Sequence, residues 1–419
     1  MEIERRRGKP PGRRIESACS AYASYQERPS SGGKKERTMV MKKRLFSGLL
    51  AVLLIFTLSP AAQAEELAVE CQSCLLMEKS TGKILYAVNE HEQLEPASVT
   101  KIMTVLLVME AIDAGTLSYS DVVTASAYAC SMGGSQIWLK ENEQMTVEDM
   151  LKAVCVVSAN DCSVALAEHL AGSADAFVAK MNQRAGELGM NDTNFLNPTG
   201  LPARGHVTSA HDIALMSREL ILNHPDVRRF TTIWMDTLRD GASALNNTNK
   251  LIRFYQGATG LKTGSTDSAL YCLSATTERD GMELIAVVMK APTSTQRFES
   301  AKTLLNYGFA AYALAEAQPP AALEPIPVHL GELACVTPKL GGDTTILAAK
   351  EKVNAMEVQI TLEESLEAPV EAGQEVGRMT VTSGGETLAS IPLVAEQNCP
   401  RLTYWQILER CLRTAFLAG

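Results

Sequence analysis

The stretch Pro96-Ala97-Ser98-Val99-Thr100-Lys101-Ile102-Met103-Thr104 reads as the opening turn of a buried helix. Pro96 suits a first helical position, where its missing N–H has no partner to lose. Val99, Ile102, Met103, Leu106, Leu107 and Met109 follow at three-to-four residue spacing, and Gly115 can close the far end. Ser98 and Lys101 are three apart, so both side chains leave one face and can touch. A serine hydroxyl attacks poorly until a neighbouring base takes its proton, and an amine desolvated beside a second cation is such a base. The helix N-terminus also favours negative charge developing at Ser98. Taken alone, the pair is equally compatible with a solvated helix face.

Upstream, Cys74 to Tyr86 predicts two strands around a turn at Ser80-Thr81-Gly82. Residues 1–40 are rich in Arg, Lys, Ser, Gly and Pro and predict a disordered or non-native extension. Met41-Lys42-Lys43-Arg44, an apolar run from Leu45 to Leu58 and Ala62-Gln63-Ala64 then form the three parts of a secretory signal peptide, 41–64. Such a leader begins a protein, so translation is expected to start at Met39 or Met41, with Glu65 first in the mature chain. The chain has 419 residues, enough for two domains, and its 46% hydrophobic and 21% charged content is that of a globular protein. Residues 1–64 hold 13 of the 39 basic and 5 of the 48 acidic side chains, so the mature chain carries a formal charge of −17. That acidity argues against nucleic acid as a partner.

Downstream, Met145 to Leu170 predicts helix broken at Val157-Ser158-Ala159-Asn160-Asp161. The break places a hydroxyl and an amide at a turn, where either could simply cap the second helix. Helices are also expected from Asp175 to Leu188 and from Ala210 to Leu222, with a loop from Asn191 to about Val207 between them. Ala269–Thr277 and Glu283–Met289 flank Asp280-Gly281 and read as antiparallel neighbours, with Lys262-Thr263-Gly264 on the preceding strand. A closing helix is expected over 299–313. Nine cysteines remain after the leader; Cys71-x-x-Cys74 lacks a second ligand pair for zinc, and most thiols are expected to be free. The six histidines form no metal pattern, and no cofactor is implied.

Ser98-x-x-Lys101, Ser158-x-Asn160 and Lys262-Thr263-Gly264, in that order, resemble the three motifs of the penicillin-recognising serine enzymes. Glu95-Pro96-Ala97-Ser98-Val99-Thr100-Lys101, Asn197-Pro198-Thr199-Gly200-Leu201 and Gly260-Leu261-Lys262-Thr263-Gly264 narrow the resemblance. They are similar to the low-molecular-mass penicillin-binding proteins that are serine D-alanyl-D-alanine carboxypeptidases. The resemblance runs from about residue 66 to the C-terminus. It implies an α/β (α+β) fold: a β-lactamase/transpeptidase-like domain with an antiparallel sheet flanked by helices, over 65–318, and a small β-rich domain over 319–398. It also implies removal of the terminal D-alanine from peptidoglycan pentapeptide stems in cell wall biogenesis, and acylation by β-lactam antibiotics. In that reading Ser98 is the nucleophile, Lys101 its base and Ser158 a proton relay. Asn160 holds the substrate amide, Lys262 and Thr263 receive the terminal carboxylate with Arg297 assisting, and Gly264 lets the ligand approach the backbone. The N–H groups of Ser98 and Ser265 form the oxyanion hole. His211 stands where relatives often carry arginine or tyrosine.

Leu402, Trp405, Leu408, Leu412 and Phe416 recur at three or four, with Arg401, Arg410 and Arg413 nearby. This resembles the family's amphipathic helix, 399–419, lying on the outer face of the cytoplasmic membrane; the alternative is a helix docked on the protein's own surface. Two other functions share these motifs. A serine β-lactamase needs a loop glutamate, and Glu187-x-x-x-Asn191 offers one only at a helix end. A non-catalytic cell-wall sensor has no need of a base beside its serine.

Overall fold

The computed structural model describes residues 67–417; the extension and leader expected over 1–64 lie outside the described residues. The chain from Leu67 onward forms one compact unit. Its centre is a five-stranded antiparallel sheet of β1 (Ser73–Glu78), β2 (Ile84–Val88), β3 (Ala258–Thr266), β4 (Leu270–Arg279) and β5 (Met282–Ala291). The strand order is β2-β1-β5-β4-β3. The period of two along each strand divides the core. Leu75 and Met77 of β1, with Ile285, Val287 and Met289 of β5, face one apolar layer. Cys74 and Leu76, with Leu284, Ala286 and Val288, face the other. Both faces are covered, which is why β5 is nearly continuous in apolar residues.

The first layer is helical. α1 (Lys101–Asp113), α2 (Val147–Val156), α3 (Asn160–Ala171), α4 (Ala174–Glu187) and α5 (Ala210–Asn223) pack there. α1 is apolar almost all round, with Ile102, Met103, Val105, Leu106, Val108 and Met109 buried, so it is a core helix rather than one with a single apolar stripe. The second layer is α6 (Ser294–Ala311), which sets Phe298, Ala301, Leu304 and Leu305 against the sheet. It starts before the expected residue 299 because the Thr293 hydroxyl accepts from the Gln296 N–H at 3.2 Å and caps it. It also ends earlier, at Ala311.

Beyond α6, β6 (Tyr312–Glu316) pairs with β9 (Thr345–Ala349), so the chain joins the second domain at Tyr312 rather than at 319. That domain adds β7 (Ile326–His329), β8 (Pro338–Leu340), β10 (Met356–Leu362), β11 (Glu375–Ser383) and β12 (Glu386–Ala395). Four of these form a sheet in the order β8-β12-β11-β10. β10 begins only at Met356, because Lys350–Asn354 turns into a short helix before it. Cys399 pairs with Val370 and Arg401 with Gly331, so residues 399–401 belong to this domain, and the terminal helix α7 (Tyr404–Leu417) starts later. All nine described cysteines are free thiols.

Candidate active site

The organising stretch does not start as a regular α-helix. Ala97–Thr100 is a 3-10 turn with Pro96 as its N-cap, and α1 continues from Lys101. In a 3-10 turn residues three apart eclipse one another, which brings Ser98 and Lys101 face to face. The Lys101 ammonium lies 3.0 Å from the Ser98 hydroxyl. Ala97, at φ 48°, is in the left-handed region, a strained position for a residue with a side chain, immediately before the serine.

Lys101 is fully buried and gives its other hydrogen bonds to Asn160 Oδ1 at 2.5 Å and to the Thr199 carbonyl at 2.7 Å. Burial, reinforced by the charge of Lys262 and opposed by Asp161, pushes its pKa well below the usual lysine range. Ser158, also left-handed at φ 65°, turns its hydroxyl to Lys262, whose Nζ donates at 2.9 Å. Ala159 is the N-cap of α3 and makes no side-chain capping bond. Neither Ser158 nor Asn160 is therefore spent on capping; both side chains reach the buried lysines instead.

Lys262 lies on β3 and is 3% exposed. Burial lowers its pKa to about 7, with the charge of Arg297 adding to the effect. The Thr263 hydroxyl is 2.7 Å from that of Thr248. Gly264 is where β3 approaches the 3-10 turn: a Cβ there would sit 2.8 Å from the Pro96 carbonyl and 2.9 Å from the Ser98 nitrogen. Only glycine allows this approach of β3 to the backbone of Ser98. Arg297 enters from α6. Its Nη1 donates to the carbonyls of Gly264 at 3.2 Å and Cys272 at 3.3 Å, its Nε has no partner, and burial lowers its pKa to about 10. It therefore backs β3 rather than touching Lys262.

The structure thus gathers Ser98, Lys101, Ser158, Asn160, Lys262 and Gly264 around one cleft, with Thr263 and Ser265 adjoining on β3 and Arg297 behind it. The motifs did not reveal the wall facing them. Asn160 Nδ2 donates to the Gly133 carbonyl at 2.6 Å, and its backbone N–H donates to Ser135 at 2.7 Å. Buried Asp161 accepts from the N–H groups of Ile137 and Leu139 and holds that segment in place. Nor did they reveal the Thr199 carbonyl or Thr248; a backbone acceptor has no residue-type signal, although the Asn-Pro-Thr-Gly-Leu turn was visible. Glu187 ends α4, where Gln183 and Arg184 bond it, so it is not the loop base that a β-lactamase needs. Among the described residues Glu110, Glu219 and His224 cluster with metal-ligand atoms, but Arg184 already bridges the two glutamates at 2.7 Å each.

The comparisons with known proteins place the chain in a family. A family model described as D-alanyl-D-alanine carboxypeptidase matches residues 60–293, and one for the C-terminal domain of penicillin-binding protein 5 matches 322–401. The D-alanyl-D-alanine carboxypeptidase DacF of Bacillus subtilis is 40% identical over 385 residues, covering 88% of this chain and 98% of the relative. The crystal structure of penicillin-binding protein 5 from Haemophilus influenzae superposes with a TM-score of 0.72 at 30% identity, over 80% of this chain and 98% of that one. Penicillin-binding protein D2 of Listeria monocytogenes, in an ampicillin-bound form, matches at 33% identity and a TM-score of 0.53, over 58% of this chain and 98% of that one. With the carboxypeptidase model spanning more than half of the chain, and relatives matched along nearly their whole length, this chain belongs to the serine D-alanyl-D-alanine carboxypeptidases, the low-molecular-mass penicillin-binding proteins.

Proposed function

We propose that this carboxypeptidase works through an acyl-enzyme on Ser98, formed with the penultimate D-alanine of a peptidoglycan pentapeptide stem. The observation that carries the assignment is the Ser98–Lys101 contact at 3.0 Å, with Lys101 fully buried and depressed in pKa. Neutral Lys101 takes the Ser98 proton as the hydroxyl attacks the carbonyl carbon. The N–H groups of Ser98 and Ser265 receive the oxyanion that forms. Ser158, bonded to Lys262, relays the proton that Lys101 took to the departing amine of D-alanine as the C–N bond breaks. Lys101, neutral again, takes a proton from the water that releases the shortened peptide. Asn160 fixes Lys101 and the peptide amide. Lys262 and Thr263 meet the terminal carboxylate, and Arg297 supports them through Gly264. The same serine is the site for β-lactams, whose ring carbonyl would take the place of the peptide's.

Export and anchoring complete the reading. The leader over 41–64 directs the protein to the cell-wall side, and α7 holds it on the membrane surface. No helix among the described residues is long and apolar enough to cross a membrane. α7 exposes Trp405, Leu408, Leu412 and Phe416, while Arg410 on its other side donates to the carbonyls of Gly331 and Glu332. That orientation favours the lipid-facing helix over the docked one. It also revises the part given to arginine: Arg410 fastens the helix to the domain and Arg413 pairs with Glu409, leaving Arg401 for headgroups.

Mass spectrometry after incubation with penicillin and with a D-Ala-D-Ala peptide tests the assignment. The adduct is expected on Ser98, and Ser98→Ala is expected to abolish it. An adduct mapped to Ser158 overturns it.

A further inference from the structure

Lys101 is held by a carbonyl that lies almost a hundred residues away, and the loop presenting that carbonyl is tied down at defined points. The loop crosses the N-terminal end of α1 between Asn191 and Thr208. Within it, Asn197 Oδ1 accepts from the N–H groups of Thr199 at 3.1 Å and Gly200 at 2.7 Å and from the Thr199 hydroxyl at 2.8 Å, and Nδ2 donates to the Leu201 carbonyl at 2.9 Å. One side chain therefore sets the turn. Gly200, at φ 81°, lies so close to the 3-10 turn that a Cβ would fall 1.8 Å from the Ala97 carbonyl.

The link from this turn to α1 is His206. It is 2% exposed; its Nδ1 accepts from the Leu196 N–H at 3.1 Å, which puts the ring proton on Nε2. Nε2 then donates to the Thr100 hydroxyl at 2.9 Å, on the residue preceding Lys101. The ring packs edge-on against Phe195. A buried imidazole bonded at both nitrogens, one to each side of the Asn197–Leu201 turn's contact with α1, is a rigid strut. Burial pushes its pKa down to about 4 against the opposing charge of Glu95, so it stays neutral around pH 7 with Lys101 close by.

We propose that His206 is a positioning residue for the carboxypeptidase reaction: by tying Leu196 to Thr100 it holds the Thr199 carbonyl on the Lys101 amine and so keeps that amine aimed at Ser98. This rests on Lys101 being the base for Ser98. His206 itself touches neither substrate nor Ser98, so its loss acts on the acylation step and leaves substrate binding alone. A shift of about 1 Å in such a base costs on the order of 10²-fold.

The test compares His206→Leu, His206→Gln and Thr100→Val in the mature enzyme. Fluorescent-penicillin acylation rates, kcat and KM for D-alanine release, and thermal unfolding are measured on each. Gln can accept at one end and donate at the other, whereas Leu can do neither. The Leu and Val variants are expected to lose about 10- to 100-fold in acylation rate and kcat, with KM within about twofold of the parent. Gln is expected to restore most of the loss. Unchanged acylation in folded Leu or Val protein overturns the proposal, as does a change confined to KM or a Gln variant no faster than Leu. If Leu fails to fold, Val and Gln decide by the same criteria. Parent enzyme that penicillin does not acylate on Ser98 overturns the assignment of the site instead, which keeps the two failures apart.

Discussion

Two regions of this molecule break the ordinary rule of burial in opposite directions. The cleft encloses basic side chains: Lys101 is 0%, Lys262 3% and Arg297 6% exposed. The terminal helix does the reverse and leaves Trp405 74% and Phe416 82% exposed. Charged side chains are almost never fully buried unless paired, and large apolar ones rarely cluster in water. Each arrangement costs stability that the rest of the fold supplies. The cleft's departure is satisfied from within, since Lys101 has three hydrogen-bond acceptors around it. Among the described residues nothing covers the helix's apolar side, which fits the membrane contact proposed for it. An enclosed exception alters the chemistry of its own group; an exposed one waits for a surface.

The largest expected effect strikes the cleft. Lys101→Met keeps the volume and removes the amine, and acylation by penicillin should fall by about 10²- to 10⁴-fold. Stability should stay within about 2 kcal/mol of the parent, because relief of burying a polar amine offsets the two acceptors left at Asn160 and Thr199. If Lys101→Met unfolds the protein outright while a hydrophobic neighbour such as Met103→Leu does not, the lysine is structural and the comparison fails.

The next effect belongs to the helix. A chain ending at Thr403 keeps Cys399, which is fully buried in the second domain, and removes only α7. It should fold, react with penicillin at the parental rate and no longer sediment with anionic vesicles. Each large apolar side chain placed in lipid contributes about 1.5–3 kcal/mol, so losing several should abolish the binding. Equal sedimentation of the two forms would place the anchor elsewhere.

The smallest effect is graded by pH. On the acid side kcat/KM should rise with pH as Lys101 loses its proton and becomes a base. On the alkaline side it should fall, because the substrate's carboxylate selects charged Lys262, whose pKa in the free enzyme is about 7. Lys262→Arg, which stays protonated at any working pH, should remove the alkaline limb. An unchanged limb in that variant would assign it to another group.

Much of the site could be read from residue types. Ser98, Lys101, Ser158, Asn160, Lys262 and Thr263 announce themselves because their chemistry resides in side chains at short, fixed spacings. The hairpin of β4 and β5 was equally legible, since the apolar runs on either side of Asp280-Gly281 leave little choice of pairing, whereas the insertion of β1 beside β5 was not. The limits of α6, the entry into the second domain at Tyr312 and the late start of α7 were not, because capping and strand pairing with distant residues set them. What only the tertiary structure decided is the environment of Lys101. Complete burial and Lys262 arriving on a strand lower its pKa, and a loop that carries the Thr199 carbonyl, Asn197 and His206 across the start of α1 holds the amine in place. No local pattern encodes a backbone acceptor or the desolvation of an amine: both arise when segments far apart in sequence close over the same few ångströms, and that closure turns a common Ser-x-x-Lys into a nucleophile and its base.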